Sequence, residues 1–240
     1  MKNLQRFRTQ IDVIDDKILH LLKDRSKLSL KIGEIKRSEK DGINLFRPER
    51  QMQILARLFL KKGTLLSEKD IFNFWREIFW HQTRLQGKLN FLIPDFLTKF
   101  EKKTLYCSFG NNFQFDTFEE RKKAFLLAKR KKNTLIILPF PGKLKRNDWW
   151  LDDYFKDLFI VAPVPFLCEK NSLPKLLVIS KYKPILEGKH LTVFKAKNKI
   201  KKINIRNITN FKSNYLYISN KISESDSIKI LGAFPNLKLS

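Results

Sequence analysis

The sequence predicts a multidomain α plus α/β protein, in which an N-terminal three-helix domain is followed by a small α/β domain. Apolar residues recur at helical spacing through residues 4–37 without a proline. Beyond residue 103, short apolar runs bounded by Pro, Gly, Asn and Lys replace that pattern, as is typical of strands. We therefore predict a helical domain at 1–92, a connector at 93–103 and an α/β region at 104–240.

The first predicted helix is unusually long. It exceeds 30 residues, whereas a mean helix has about 11 or 12. Its apolar positions are Leu4, Phe7, Ile11, Ile14, Ile18, Leu21, Leu22, Leu28, Ile32 and Ile35. A helix of this length needs a packing partner along most of its extent.

Two further helices follow a polar break with the sequence SEKDGINLF. Pro48 suits the first turn of the second helix, and Gly63 can close it after Lys62. Ser67 and Asp70 have the spacing of a capping box, which predicts a third helix running to about Gly87.

The second half reads as strands with one early helix. Pro94 and the short run that follows it look like a connector. The helix is predicted at FEERKKAFLLAKRKK, which gives a β-α-β start. The predicted strands are TLYCSF, NTLIILPF, LFIVAPV, KLLVIS, HLTVF and NYLYIS.

Charge and composition limit the possible functions. The chain has 49 Lys and Arg against 24 Asp and Glu, a net charge of +25, which favours anionic partners. The charge is spread evenly, and no zinc-ligand set, RNP-like strand or basic zipper accompanies it, so we do not expect a nucleic-acid partner. We expect no membrane association, because no run approaches the roughly 20 apolar residues of a membrane span.

The N-terminus and the cysteines predict a cytoplasmic location. Acidic residues precede any apolar run at the N-terminus, so it does not read as a signal peptide. Cys107 and Cys168 are too few for a disulfide framework and lack metal-ligand spacing.

A sparse set of cationic and amide residues lies on the amphipathic helices. Such groups are costly to bury unless an anion meets them, so they indicate a pocket for a small, multiply charged anion. The alternative is that all of them are solvated surface groups. The set is Arg8, Arg25, Lys36, Arg50 and Gln86.

Helix geometry shows which of these residues could reach one ligand within a single chain. Arg25 and Lys36 are 11 residues apart, so they face one direction about 16 Å apart along the axis. Arg8 precedes Arg25 by 17 residues, about 25 Å, and is rotated off that face. It could reach the site only from the partner in an antiparallel two-fold dimer. Gln82 and Gln86 share one helix face.

Residues 4–88 resemble the all-helical chorismate mutases. The segments that carry the resemblance are LQRFRTQIDVIDDKILHLLKDRSKLSLKIGEIK, FRPERQMQIL and FWREIFWHQTRLQGKL. The resemblance implies that Arg25, Lys36 and Arg50 bind the substrate's carboxylates and the oxygen of its breaking bond. It implies that Gln86 pairs with Lys36 on that ether oxygen and that Gln82 lies near a carboxylate. Arg8 would come from the other subunit of an intertwined homodimer.

The same resemblance implies a reaction. Chorismate would rearrange to prephenate in a pericyclic step of phenylalanine and tyrosine biosynthesis, with no metal or organic cofactor. Two positions depart from the family: Gln51 stands where many members have Glu, and Arg47 where some have Asp. Those acids help to hold the substrate hydroxyl, for which Gln51 can still supply an acceptor oxygen.

The second half resembles a degenerate prephenate dehydratase with a C-terminal ACT-like region. NTLIILPFPGK is similar to the strand and loop that normally read V-P-I-E-N-S. PKLLVISK is similar to the strand that carries T-R-F, with Pro174, Lys175 and Leu176 at the signature positions. Since the signature Thr, Arg, Glu, Asn and Ser are absent, we expect this half to be non-catalytic and to serve support or regulation.

Three alternatives stay open. The chain could be a non-catalytic basic protein that binds RNA or another polyanion on an inactive mutase scaffold. It could be a bifunctional mutase/prephenate dehydratase. The C-terminal half could also bind phenylalanine or tyrosine as an effector of the mutase.

Overall fold

A computed structural model describes residues 2–38, 44–110, 113–142, 144–169, 172–185, 188–200, 205–211, 213–220 and 222–237. Three helices come first: α1 (Lys2–Ser38), α2 (Pro48–Phe59) and α3 (Glu68–Gln86). They confirm the predicted helical N-terminal region. Most of the predicted polar break, at 39–43, lies outside the described residues.

The long helix α1 packs on the protomer with only part of its length. Its residues 3–21 are exposed, and its C-terminal part packs against α3. Gly33 lies in that contact, where an added Cβ would be 2.8 Å from the Cα of Gln86. A glycine therefore permits the close approach of the two helices.

The ends of α2 and α3 follow local chemistry. Pro48 opens α2 as predicted, and α2 ends at Phe59, before the expected Lys62. Ser67 and Asp70 form the predicted capping box at the start of α3.

The second half is an α/β unit built on one nine-stranded mixed sheet, which confirms the predicted fold class. The strand order is β2-β1-β3-β5-β4-β9-β6-β8-β7. The strands are β1 (Asn90–Pro94), β2 (Asp116–Phe118), β3 (Thr134–Pro139), β4 (Phe159–Val164), β5 (Leu176–Ser180), β6 (His190–Ala196), β7 (Ile205–Phe211), β8 (Asn214–Ser219) and β9 (Ile228–Pro235). The helices of this unit are α4 (Lys99–Phe109) and α5 (Arg121–Arg130).

The sheet has a narrow junction between β4 and β9. These parallel strands share one register pair, Ile160 with Gly232. Gly232 has a φ of 145°, and an added Cβ would lie 2.2 Å from the carbonyl oxygen of Ile160. Glycine is required here, since no side chain fits in that space.

The helices and the sheet share a hydrophobic core. α2 packs against β9, and α3 packs against α4. Aromatic rings from both parts meet at Trp80, which stacks on Phe46 at 6.0 Å and on Phe109 at 5.0 Å between ring centroids. This shared core fixes the helices that carry the candidate site against the α/β unit.

One predicted strand is a helix. The run TLYCSF lies in α4, because Thr98 and Glu101 form a capping box that starts a helix there. Leu105 and Phe109 are buried four residues apart, as a helix face requires, whereas Tyr106 is exposed. The expected connector at 93–103 accordingly contains the end of β1 and the beginning of α4.

Among the described helices, none combines the length and the apolar character that crossing a membrane requires.

Candidate functional site

Lys36 of α1 and Gln86 of α3 meet directly. The Nζ of Lys36 donates to the Oε1 of Gln86 at 2.9 Å and to the carbonyl oxygen of Asn44 at 3.4 Å. Arg37 donates to the backbone carbonyl of Gln86 at 3.0 Å. The side-chain amide of Gln86 therefore presents its Oε1 to Lys36 and keeps its Nε2 for another acceptor.

The surroundings of Lys36 disfavour its charged form. Burial lowers the pKa of Lys36, the positive charge of Arg47 lowers it further, and the negative charge of Glu49 raises it. A desolvated cation beside another cation favours an anionic ligand, because the anion would restore the charged form.

Besides Lys36 and Arg47, Arg25 and Arg50 are two cations whose charges act on one another. The guanidinium of Arg25 lies 5.9 Å from the ring centroid of Phe79. Burial lowers the pKa of Arg25, and the positive charge of Arg50 adds to that effect. Arg50 also donates to Gln53 at 3.2 Å. Two guanidinium groups that repel one another are suited to a shared or doubly charged anion.

Gln82 is buried on the same helix as Gln86. Its Nε2 donates to the Oγ of Ser26 at 3.0 Å, and Ser26 donates to the carbonyl of Leu22 at 2.8 Å. The Oε1 of Gln82 is buried and accepts no hydrogen bond from the described protein atoms. This oxygen is suited to accept from a donor on a ligand.

The two positions that depart from the resembled family lie at the start of α2. Arg47 donates through Nε to the carboxylate of Glu49, whose side chain is buried. Gln51 is partly exposed. Arg47 is thus held by an acidic residue two positions away.

Arg8 is separate from the other residues within one protomer. It is exposed on the first part of α1, about 25 Å along the axis from Arg25. A stripe of exposed apolar side chains runs along the same part of the helix, at Leu4, Phe7, Ile11, Ile14, Ile18 and Leu21.

Sequence reasoning did not identify several residues that shape the site. Gly33 could have been found, because a glycine inside a long helix is unfavourable unless something packs closely there. Glu49, Ser26 and Asn44 carried no comparable signal, because their roles depend on which elements fold against them.

Two segments resemble degenerate dehydratase signatures, and their strands β3 and β5 are neighbours in the sheet. The backbone N–H of Phe140 donates to the carbonyl of Lys175 at 2.8 Å. Lys175 lies over the ring of Phe100 at 5.9 Å and borders a cavity of about 640 Å³ between α3, α4 and the loop before β5. Within the described residues, no three His, Cys, Asp or Glu side chains group as metal ligands would.

Parts of this chain are similar to known proteins. Residues 7–87 match the model of the family described as chorismate mutase type II. A bifunctional chorismate mutase/prephenate dehydratase from Aquifex aeolicus (strain VF5) is 25% identical over 168 residues, which cover 68% of this chain and 45% of that relative. This chain therefore matches less than half of the relative's length.

A solved structure of prephenate dehydratase from Streptococcus mutans aligns at 14% identity with a TM-score of 0.38. The alignment covers 63% of this chain and 100% of that one.

Proposed function

From the chorismate mutase type II domain at residues 7–87, we propose that this chain converts chorismate to prephenate. The observation that carries the proposal is the hydrogen bond between Lys36 and Gln86 across α1 and α3. These are the two residues expected on the ether oxygen, and Arg25 and Arg50, whose charges act on one another, are the residues expected on the carboxylates.

The arginines select the reactive conformer. Arg25 and Arg50 bind carboxylates through their planar, two-pronged donor groups. Holding both carboxylates keeps the substrate compact and removes the entropic cost of reaching that shape.

Lys36 and Gln86 act on the breaking bond. Negative charge grows on the ether oxygen as its bond to carbon lengthens. The Lys36 ammonium and the Gln86 Nε2 donate to that oxygen more strongly in the transition state than in the ground state. The oxygen of the Gln86 amide is already engaged by Lys36, which orients the amide nitrogen for this role.

The substrate hydroxyl is recognised by Gln51 in this proposal, and Gln82 lies near a substrate carboxylate. Gln51 supplies a neutral acceptor oxygen in place of a carboxylate. Arg47 borders the site and is neutralised by Glu49.

The active form is an intertwined homodimer in which Arg8 of the partner subunit completes the site. The exposed apolar stripe of α1 supports this proposal, since it recurs every three or four residues and a second α1 would cover it. The enzyme acts in phenylalanine and tyrosine biosynthesis in the cytoplasm.

The region at 104–240 is non-catalytic and supports or regulates the mutase domain at 1–92. Pro174, Lys175 and Leu176 stand where the resembled signature has Thr, Arg and Phe, so its threonine hydroxyl and its arginine guanidinium are missing. An aromatic amino acid is the proposed effector, and the cavity that Lys175 and Phe100 border has the cationic and aromatic groups to hold one.

The first experiment follows the loss of chorismate absorbance with purified protein. Lys36→Ala and Gln86→Ala should each abolish turnover with an unchanged circular dichroism spectrum. Lys31→Ala, at an exposed position of the same helix, is the control and should retain turnover. A folded wild-type protein that leaves chorismate unchanged would overturn the proposal.

The alternatives separate in the same assay. Phenylpyruvate formed without acid treatment would show a bifunctional mutase/dehydratase, the activity named for the Aquifex relative. A binding protein for polyanions would show steeply salt-dependent RNA affinity that Arg25→Ala leaves unchanged. A regulatory second half would show altered mutase kinetics with millimolar phenylalanine or tyrosine.

A further inference from the structure

Glu49 is a buried carboxylate beside the site. It lies in the first turn of α2, its side chain is 7% exposed, and it accepts from Arg47. Burying a carboxylate is costly unless a partner compensates it. The burial of Glu49 is therefore compensated by Arg47, and the two form a charge pair beside Lys36.

The sheet covers Glu49. A small internal space bordered by Glu49 is also lined by Val161 of β4, His190 of β6 and residues 233–235 of β9. α2 packs against β9 along this contact. The α/β half thus forms one wall around an acidic residue of the helical half.

Among the residues that the structure describes, the charges that act on Lys36 oppose one another. Arg47 and Glu49 act on Lys36 with opposite signs, and the adjacent Arg37 is engaged by the Gln86 carbonyl. The remaining polar contacts of Lys36, with Gln86 and Asn44, are to neutral groups. On the sheet side, His190 is the titratable group that shares the space with Glu49.

We infer that Glu49 is a positioning residue of the mutase site, which holds and neutralises Arg47 so that Lys36 stays charged against the substrate. This inference rests on the proposed function. The inference also assigns a role to the α/β half, because that half covers the Glu49 carboxylate and keeps it paired with Arg47.

The inference predicts opposite effects for the two partners. Removing the negative charge in Glu49→Gln lowers the pKa of Lys36 and exposes the site to an uncompensated Arg47. Removing the positive charge in Arg47→Gln raises the pKa of Lys36. The double variant Arg47→Gln/Glu49→Gln returns it toward the wild-type value, because both charges are gone.

The test titrates Lys36 by NMR in isotopically labelled protein, with Lys36→Met to assign its signal. The pKa of Lys36 should be lower in Glu49→Gln than in the wild type and should return toward the wild-type value in the double variant. Glu77→Gln is the matched control, because it removes an exposed carboxylate from an Arg–Glu pair on α3. An unchanged Lys36 titration in folded Glu49→Gln would overturn the inference.

Kinetics provide the second readout. The alkaline fall of kcat/KM should move to lower pH in Glu49→Gln and recover in the double variant. A purely structural role would lower kcat/KM evenly across pH, and the double variant would be no better than Glu49→Gln. If Glu49→Gln shifts the Lys36 titration as expected but the wild-type protein has no mutase turnover, the proposed function is rejected. The electrostatic effect of Glu49 on Lys36 would then still stand.

Discussion

Gly33 and Gln86 touch backbone to backbone. A Cβ at position 33 would lie 2.8 Å from the Cα of Gln86 and 3.1 Å from its carbonyl oxygen. Arg37, one turn further along α1, donates to that same carbonyl. The two helices are therefore set at the separation that lets Lys36 reach the Gln86 side chain.

Replacing Gly33 with alanine tests this spacing. Alanine favours a helix over glycine by about 1 kcal/mol, so α1 itself should be more stable. The added methyl group should nevertheless move α1 from α3, lengthen the contact between Lys36 and Gln86, and lower kcat/KM about tenfold. Steady-state kinetics measure the loss, with Lys31→Ala as the α1 control. Full activity in Gly33→Ala would show that the helices tolerate a wider separation.

The lowered pKa of Lys36 predicts the alkaline side of the pH profile. The mechanism needs the protonated ammonium, so kcat/KM should fall at a lower pH than an ordinary lysine near 10.5 would give. Bound substrate brings carboxylates that favour the charged form, so the fall of kcat should come at higher pH. Lys36→Arg should remove this fall, because a guanidinium stays protonated. A profile in which Lys36→Arg keeps the wild-type fall would assign it to another group.

Because Arg25 and Arg50 repel one another, removing Arg50 should leave the fold at least as stable but weaken the binding of prephenate. Arg50→Ala should melt at or above the wild-type temperature, because Arg25 loses a neighbouring positive charge. It should bind the product prephenate about tenfold or more weakly, as expected for the loss of a hydrogen bond to a charged group. Calorimetric titration and thermal melting measure the two effects. Equal prephenate affinity in both proteins would place the carboxylate elsewhere.

Mixing two inactive variants tests the shared site. Arg8→Ala and Lys36→Ala should each be inactive alone. In a mixed dimer, one site receives Arg8 from one subunit and Lys36 from the other, so it is intact. Unfolding and refolding an equal mixture should recover about a quarter of wild-type activity, since half of the dimers are mixed and each has one good site. No recovery in a mixture that forms mixed dimers would place Arg8 in the site of its own subunit.

The contact between Lys36 and Gln86 could be predicted because residues 4–88 resemble the all-helical chorismate mutases, and that resemblance pairs these two positions. The spacing of 11 residues on α1 sets the direction of Lys36 relative to Arg25 without any tertiary information. Glu49 could not be predicted, because its burial depends on β9, which lies nearly 180 residues further along the chain.

The misread segment TLYCSF shows where sequence patterns fail. Its apolar residues fit an alternating strand and also one face of a short helix, and a run of that length does not separate the two. The cap formed by Thr98 and Glu101 decides the outcome, because it supplies partners for the first N–H groups of α4.

Gly232 has a mechanical consequence. The nine-stranded sheet consists of two smaller sheets, β2-β1-β3-β5-β4 and β9-β6-β8-β7, whose shared ladder has one register pair, Ile160 with Gly232. Local opening at that junction would leave the hydrogen bonds within each smaller sheet unbroken. Since α2 contacts β9, such an opening would also disturb that contact, which makes the middle of the sheet the place where distant strain could reach the N-terminal helices.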